Sequence, residues 1–185
     1  MKRGGNTPGR VSVNLSLKQL RQRNFIERIG SILRGHELSP TSLELEITET
    51  TLMEDAERTI KLLDQLYGLG LHLAIDDFGT GYSSLSALQQ FPISTLKIDK
   101  SFVSEVATNP DDATLVGTIV QMGRNLNMDV VAEGVENEQQ LAVLQRLGFT
   151  YVQGLLFADP MSAENSLELL MAQVDGTDSY RALFA

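Results

Sequence analysis

No cysteine occurs among the 185 residues, which excludes disulfide bridges and thiolate metal sites. The two histidines, His36 and His72, are too few and too scattered for a histidine-rich centre. Positive charge is also short. Fifteen Lys and Arg stand against 24 Asp and Glu, a formal net charge of -9, and a DNA or RNA polymer is not expected as partner because such binding relies on a basic surface that releases counterions. No apolar run is long enough to cross a bilayer, and the opening MKRGGNTPGR leads into no secretory apolar core. The chain reads as soluble and cytoplasmic, with no membrane contact of its own. Internal repeats, low-complexity tracts and linkers with a shift in composition are missing as well. With 42% hydrophobic residues, the length suits one domain with a real core. Any metal here must be held by oxygen, which favours magnesium or manganese, with calcium open.

What is present is an alternation of short β-rich runs with helical patterns. Strands are expected at Val11–Leu15, Ser42–Ile47, Leu71–Ile75, Thr95–Ile98, Met128–Ala132 and from Tyr151 towards Phe157. Between them fall a helix opened by a Ser16/Gln19 capping box and running to about Arg34, one from about Asp55 to Leu69, a short one over Ser83–Gln90, a long one with Leu115, Ile119, Met122 and Leu126 on one face, and one over Asn137–Leu147. In the second of these, Ile60, Leu63 and Tyr67 mark the apolar face, and Gly68 or Gly70 ends it. Ala163–Val174 is the last helix. Residues 1–10 read as a disordered or separate segment, 11–174 as the domain and 175–185 as a tail. Six strand-helix units with no hairpin signal imply a parallel sheet covered by helices.

The polar residues at the strand ends decide whether that sheet is open or closed. In order they are Asn14, Glu46, the pair Asp76 and Asp77, Lys97, Glu133 and Gln153. A parallel β/α barrel converges the C-terminal ends of its strands on one site, whereas an open sheet strings them across its width. Convergence favours a barrel, and the side chains it gathers suit two divalent ions bridged by a carboxylate. Singly, each has a plainer use: Asn and Asp as caps or turn formers, Glu46 and Glu49 at a helix entry, Lys97 with its head in water, Gln153 as a satisfied amide. In AIDDFGTGYSS, Gly79 and Gly81 let the loop come close to a phosphate, which adjacent aspartates tolerate only with cations between. A dinucleotide loop is set aside because the third glycine is absent.

Taken together, VSVNLS, ELEITE, AIDDFGTGYSSL, LKIDKSFV, VVAEGVE and VQGLLF resemble, in order and separation, the EAL-domain family of cyclic di-GMP phosphodiesterases over about Arg10 to Pro160. The resemblance implies a TIM-type β/α barrel of eight strands, two Mg2+ or Mn2+ ions, and cleavage of one phosphodiester bond of cyclic di-GMP to give linear pGpG. Residue by residue, it implies Asn14, Glu46, Asp76 and Asp77 as metal ligands, with Asp76 bridging, and Lys97 and Glu133 at the attacking water. It implies Glu49 as the residue that holds the Asp-Asp loop, Gln153 as a polar lining residue, and Asp99 and Glu136 on the substrate-facing rim.

The Glu-x-Leu-x-Arg segment that names the family does not occur in these 185 residues, and Asp159 stands before Pro160 where a basic or small polar residue is usual. Six of eight strands are therefore expected here, since an eight-unit barrel takes about 250 residues. Two expectations follow. Hydrolysis by this chain alone is weak or absent, the alternative being a catalytically silent cyclic di-GMP-binding or interaction module. The exposed edges at Val11–Leu15 and Tyr151 favour a homo-oligomer.

Overall fold

The computed structural model describes residues 10–54, 56–81 and 88–174. Their frame is a six-stranded sheet made of β1 (Val11–Asn14), β2 (Leu43–Thr48), β3 (His72–Phe78), β4 (Thr95–Ile98), β5 (Asp129–Ala132) and β6 (Tyr151–Val152), paired in chain order. All five pairings are parallel. Unbroken sequential order is what successive βα units give when they wind about one axis, because an open doubly wound sheet reverses its order at a switch point. The sheet curls into a half-barrel with helices, an incomplete barrel of the TIM type.

Helices α1 (Leu17–Leu20) and α2 (Phe25–Gly35) replace the single helix expected up to Arg34. The Ser16/Gln19 capping box opens α1 as expected. Asn24 then takes a left-handed conformation (φ 63°), which a continuous helix cannot contain. Two single-turn helices not foreseen from the sequence, α3 (Glu49–Met53) and α5 (Lys100–Ser104), start directly at strand ends; Asp99 caps α5 by accepting from the Ser101 N–H at 2.9 Å. Between them, α4 (Ala56–Gly68) is followed by Gly70 at φ 92°. The remaining helices are α6 (Pro110–Asn125), α7 (Glu138–Leu147) and α8 (Ala163–Val174). Most of the expected helix Ser83–Gln90 lies outside the described residues, as do 1–9 and 175–185.

The core lies between the outer face of the sheet and the helices. Leu45 and Ile47 of β2, Leu73 and Ile75 of β3, and Leu96 and Ile98 of β4 are buried against Leu52, Leu63, Leu66, Val103, Leu141 and Leu144. Two expected helix faces are rotated. On α6, Val116, Ile119, Val120 and Gly123 are buried while Leu115 is exposed, and on α4, Leu66 is buried where Tyr67 points outward. The expected sixth strand stops at Val152 because the chain turns onto the segment after β5: Val135 N–H donates to Gln153 O at 3.0 Å and Leu156 N–H to Val135 O at 3.0 Å. At the opposite edge β1 is exposed along its whole length, Val11 by 64%, beside an apolar groove lined by Phe25, Ile29, Leu33 and Leu45. No helix among the described residues is long and apolar enough to cross a membrane.

Candidate active site

Side chains two apart on a strand share a face, and the inner face of this half-barrel is polar. Lys97 of β4 is at its centre. Its Nζ lies 2.7 Å from Glu46 Oε1 on β2, 2.5 Å from Glu133 Oε1 just beyond β5, and 3.8 Å from Asp76 Oδ1 on β3. One ammonium thus draws together carboxylates from three other strands. Glu46 and Lys97 are buried, so in a low dielectric each depends on the other as a partner.

Adjacent strand residues normally point to opposite faces, which would separate Asp76 from Asp77. Two local features bring both into the site. Pairing of β3 with β4 shifts register between Ile75 and Phe78, and Asp77 adopts φ 54°. Aspartate is among the few residues with a side chain that tolerate this region. As a result, carboxylate oxygens of Asp76, Asp77 and Glu133 all lie within 4.8 Å of one another. An all-oxygen set of that size suits a hard divalent cation.

The loop after the aspartates is pinned from α3. The buried carboxylate of Glu49 accepts from the N–H of Gly79 at 3.0 Å and of Gly81 at 3.2 Å. Neither glycine has room for a side chain while Glu49 and Phe102 keep their places. A Cβ on Gly81 would stand 2.8 Å from the Glu49 carboxyl carbon, and one on Gly79, already at φ 101°, would stand 2.8 Å from the Phe102 ring.

Burial raises the pKa of Glu133, with Lys97 opposing it and Asp76 adding to it. Asp77 is also raised, by burial and then by the Asp76 charge. For Lys97, burial works against the charged form, but the hydrogen bonds to Glu133 and Glu46 outweigh it and the net shift is upward. Asp99 is lowered despite its burial, because it accepts from the Ser101 hydroxyl and N–H.

Beside these acids opens a cleft of about 680 Å³, lined by Asp77, Asp99, Glu133, Glu136 and Gln153 and bordered by Gly154, Leu155 and Ala158 to Pro160. Most of the sequence-derived candidates therefore meet in one place. Asn14 is the outlier: it is paired in register with Glu46, but it is exposed on the edge strand. Sequence reasoning missed Lys100 and Gly134 of the cleft wall, which the glycine's position after a strand-end acid could have flagged. It also missed Glu44 and Thr95, the same-face neighbours of Glu46 and Lys97 two residues earlier.

Residues 1–160 match the model of the EAL domain family, and the chain belongs to that family. It is 46% identical over 164 residues to a Pseudomonas aeruginosa protein, the bifunctional diguanylate cyclase/cyclic di-GMP phosphodiesterase MucR, covering 89% of this chain and 24% of MucR. The chain thus spans about a quarter of the length of such curated relatives. The solved structure of the PaMucR phosphodiesterase in complex with c-di-GMP superposes with a TM-score of 0.83 at 45% identity, covering 88% of this chain and 66% of that one. BlrP1 of Klebsiella pneumoniae, solved with manganese and cyclic di-GMP, gives a TM-score of 0.75 at 31% identity over 80% of this chain and 38% of that one.

Proposed function

We propose that this chain carries the metal-dependent cyclic di-GMP phosphodiesterase site of its family and cleaves one phosphodiester bond to give pGpG. The convergence of Glu46, Asp76 and Glu133 on Lys97 supports the reading most strongly. Asp76 and Asp77 would hold divalent ions, Mg2+ or Mn2+, with Glu46 and, from the edge strand, Asn14 completing the set and Glu133 beside them. Bound ions would neutralise the phosphodiester charge and acidify a water at the site. Lys97, with its raised pKa, stays an ammonium near neutral pH, so it orients the water and donates to it without accepting its proton. Glu133, raised by burial, is the carboxylate suited to take that proton. The water oxygen bonds to phosphorus, the bond to the 3′-oxygen breaks, and the leaving oxygen takes up a proton from solvent in exchange for the one passed to Glu133, giving a 3′-hydroxyl and a 5′-phosphate. Asp99, Glu136 and Gln153 line the side on which the substrate would lie.

These 185 residues contain no Glu-x-Leu-x-Arg segment, so turnover by them alone is proposed to be slow. The same fact favours a second reading, a silent module that binds cyclic di-GMP without cleaving it. The exposed β1 edge supports self-association. Chromatographic separation of cyclic di-GMP from pGpG over time, with manganese and with chelator, tests the enzyme reading. Slow metal-dependent pGpG formation that Glu133→Gln abolishes supports it. Binding of cyclic di-GMP with no pGpG under any condition supports the second reading, and neither binding nor turnover defeats both.

A further inference from the structure

Beneath the strand ends lies a second polar tier that the proposed chemistry does not use. Two residues down each strand, on the same face, Asn14 gives way to Ser12, Glu46 to Glu44 and Lys97 to Thr95. Glu44 is 7% exposed, and both its oxygens are occupied. Oε1 accepts from Ser12 Oγ at 2.9 Å, and Oε2 accepts from Thr95 Oγ1 at 2.7 Å and Arg10 Nη1 at 3.1 Å. The other arm of Arg10, Nη2, lies 3.6 Å from Asp129 on β5. A single carboxylate therefore links the start of β1, β2 and β4, with β5 joined through the arginine.

Strand β3 runs between β2 and β4, so the Glu44–Thr95 and Glu46–Lys97 bonds both reach over it. Two strand spacings amount to roughly 10 Å between backbones on a flat sheet. Side chains close that span only where the sheet curves inward and the strand between leaves room. β3 supplies the room with Ala74, fully buried and aligned with Glu46 on one side and Thr95 on the other.

We infer that Glu44 is a positioning residue for the site above it. By drawing Thr95 over Ala74, it sets the β2–β4 separation at which Lys97 sits between Glu46 and Glu133. The consequence for metal binding rests on the function proposed above; the consequence for Lys97 does not.

The test uses the full chain in metal-free form, below the melting temperature of every variant, and follows the side-chain ammonium resonance of Lys97 by NMR. Glu44→Gln, which keeps the shape and the hydroxyl partners, should leave that resonance near its wild-type position. Glu44→Leu should shift it or lose it to fast exchange. Ala74→Val, which removes no polar group but fills the space, should move it in the same way. Manganese affinity gives a second readout, expected to fall about 10- to 100-fold in Glu44→Leu because Glu46, on the same strand, is displaced from the other ligands, as for other supports of metal sites, and to stay near wild type in Glu44→Gln. An unmoved Lys97 resonance in Glu44→Leu and Ala74→Val, with only a lower melting temperature, overturns the inference. Should Glu44→Leu fail to fold, Thr95→Val removes one donor and is read in its place, with an unmoved resonance again overturning it. If the wild type takes up no manganese, the metal-site reading fails and the Lys97 resonance alone decides.

Discussion

Replacing Lys97 with methionine removes the cation on which three carboxylates converge while keeping an unbranched chain of similar length. Breaking a buried pair by deleting one partner costs about 3–5 kcal/mol, chiefly because the other charge is left buried and alone. The Lys97 and Glu46 side chains are both 7% exposed, but Glu133 is 18% exposed and better solvated, so the low end of that range, about 3 kcal/mol, is the appropriate figure. For a chain of this size each kcal/mol moves the melting temperature by about 2–4 °C, so the variant should melt roughly 6–12 °C below wild type in chelator. Manganese should then recover much of the loss, because an ion can neutralise carboxylates that no longer have their ammonium; at 100 times its dissociation constant an ion adds about 2.7 kcal/mol. In the wild type the ammonium competes for the same oxygens, so the rise with manganese should be smaller. Calorimetric melting of both proteins in chelator and in manganese measures all four states. Equal melting temperatures in chelator, or a larger manganese response in wild type than in the variant, would refute the reasoning.

Glu49→Leu should cost about 1–3 kcal/mol, since the N–H groups of Gly79 and Gly81 lose their acceptor; denaturant unfolding measures it, and an unchanged midpoint argues against the pinned loop. Gly81→Ala forces its Cβ against the Glu49 carboxyl and should weaken manganese binding through the displaced Asp-Asp turn, which calorimetric titration would reveal. Glu133 is raised above 4.5, so the folded chain keeps a proton that the unfolded chain has released. Its stabilising contribution is fully present below that ordinary value and is lost as pH rises through the folded pKa. Relative to Glu133→Gln, metal-free wild type should therefore lose stability as pH climbs from the ordinary glutamate value towards neutrality, and a difference that is flat or rises with pH would contradict the shift. The bare β1 edge predicts a dimer or larger species in light scattering, and a stable monomer at high concentration would remove that expectation.

The strand ends could be read from the sequence because two rules coincide: apolar runs locate parallel strands, and barrels gather their chemistry where those runs end. Glu46, Asp76, Asp77, Lys97 and Glu133 were all reachable in this way. Glu44 was not. In SLELEI the alternation suggests leucines inside and glutamates in water, whereas β2 is buried on both faces and lodges Glu44 among Ser12, Thr95 and Arg10. Backbone choices were equally hidden. Nothing in the residue types alone says that Asn24 interrupts a helix or that Asp77 turns left-handed to share a site with Asp76. The face of α6 was misplaced for a simpler reason, since Leu115 and Val116 are both apolar and only packing determines which one is buried.

The proposed site is tested most directly by restoring what these residues lack. A Glu-x-Leu-x-Arg segment with its strand and helix, fused ahead of the chain, should turn cyclic di-GMP into pGpG in manganese. The chain alone should stay barely above background, and Glu133→Gln in the fusion should return it to background. Chromatographic time courses of the three proteins give the answer. Robust turnover by the unfused chain would show that its own carboxylates suffice, and a fusion that folds and binds cyclic di-GMP without cleaving it would contradict the phosphodiesterase assignment.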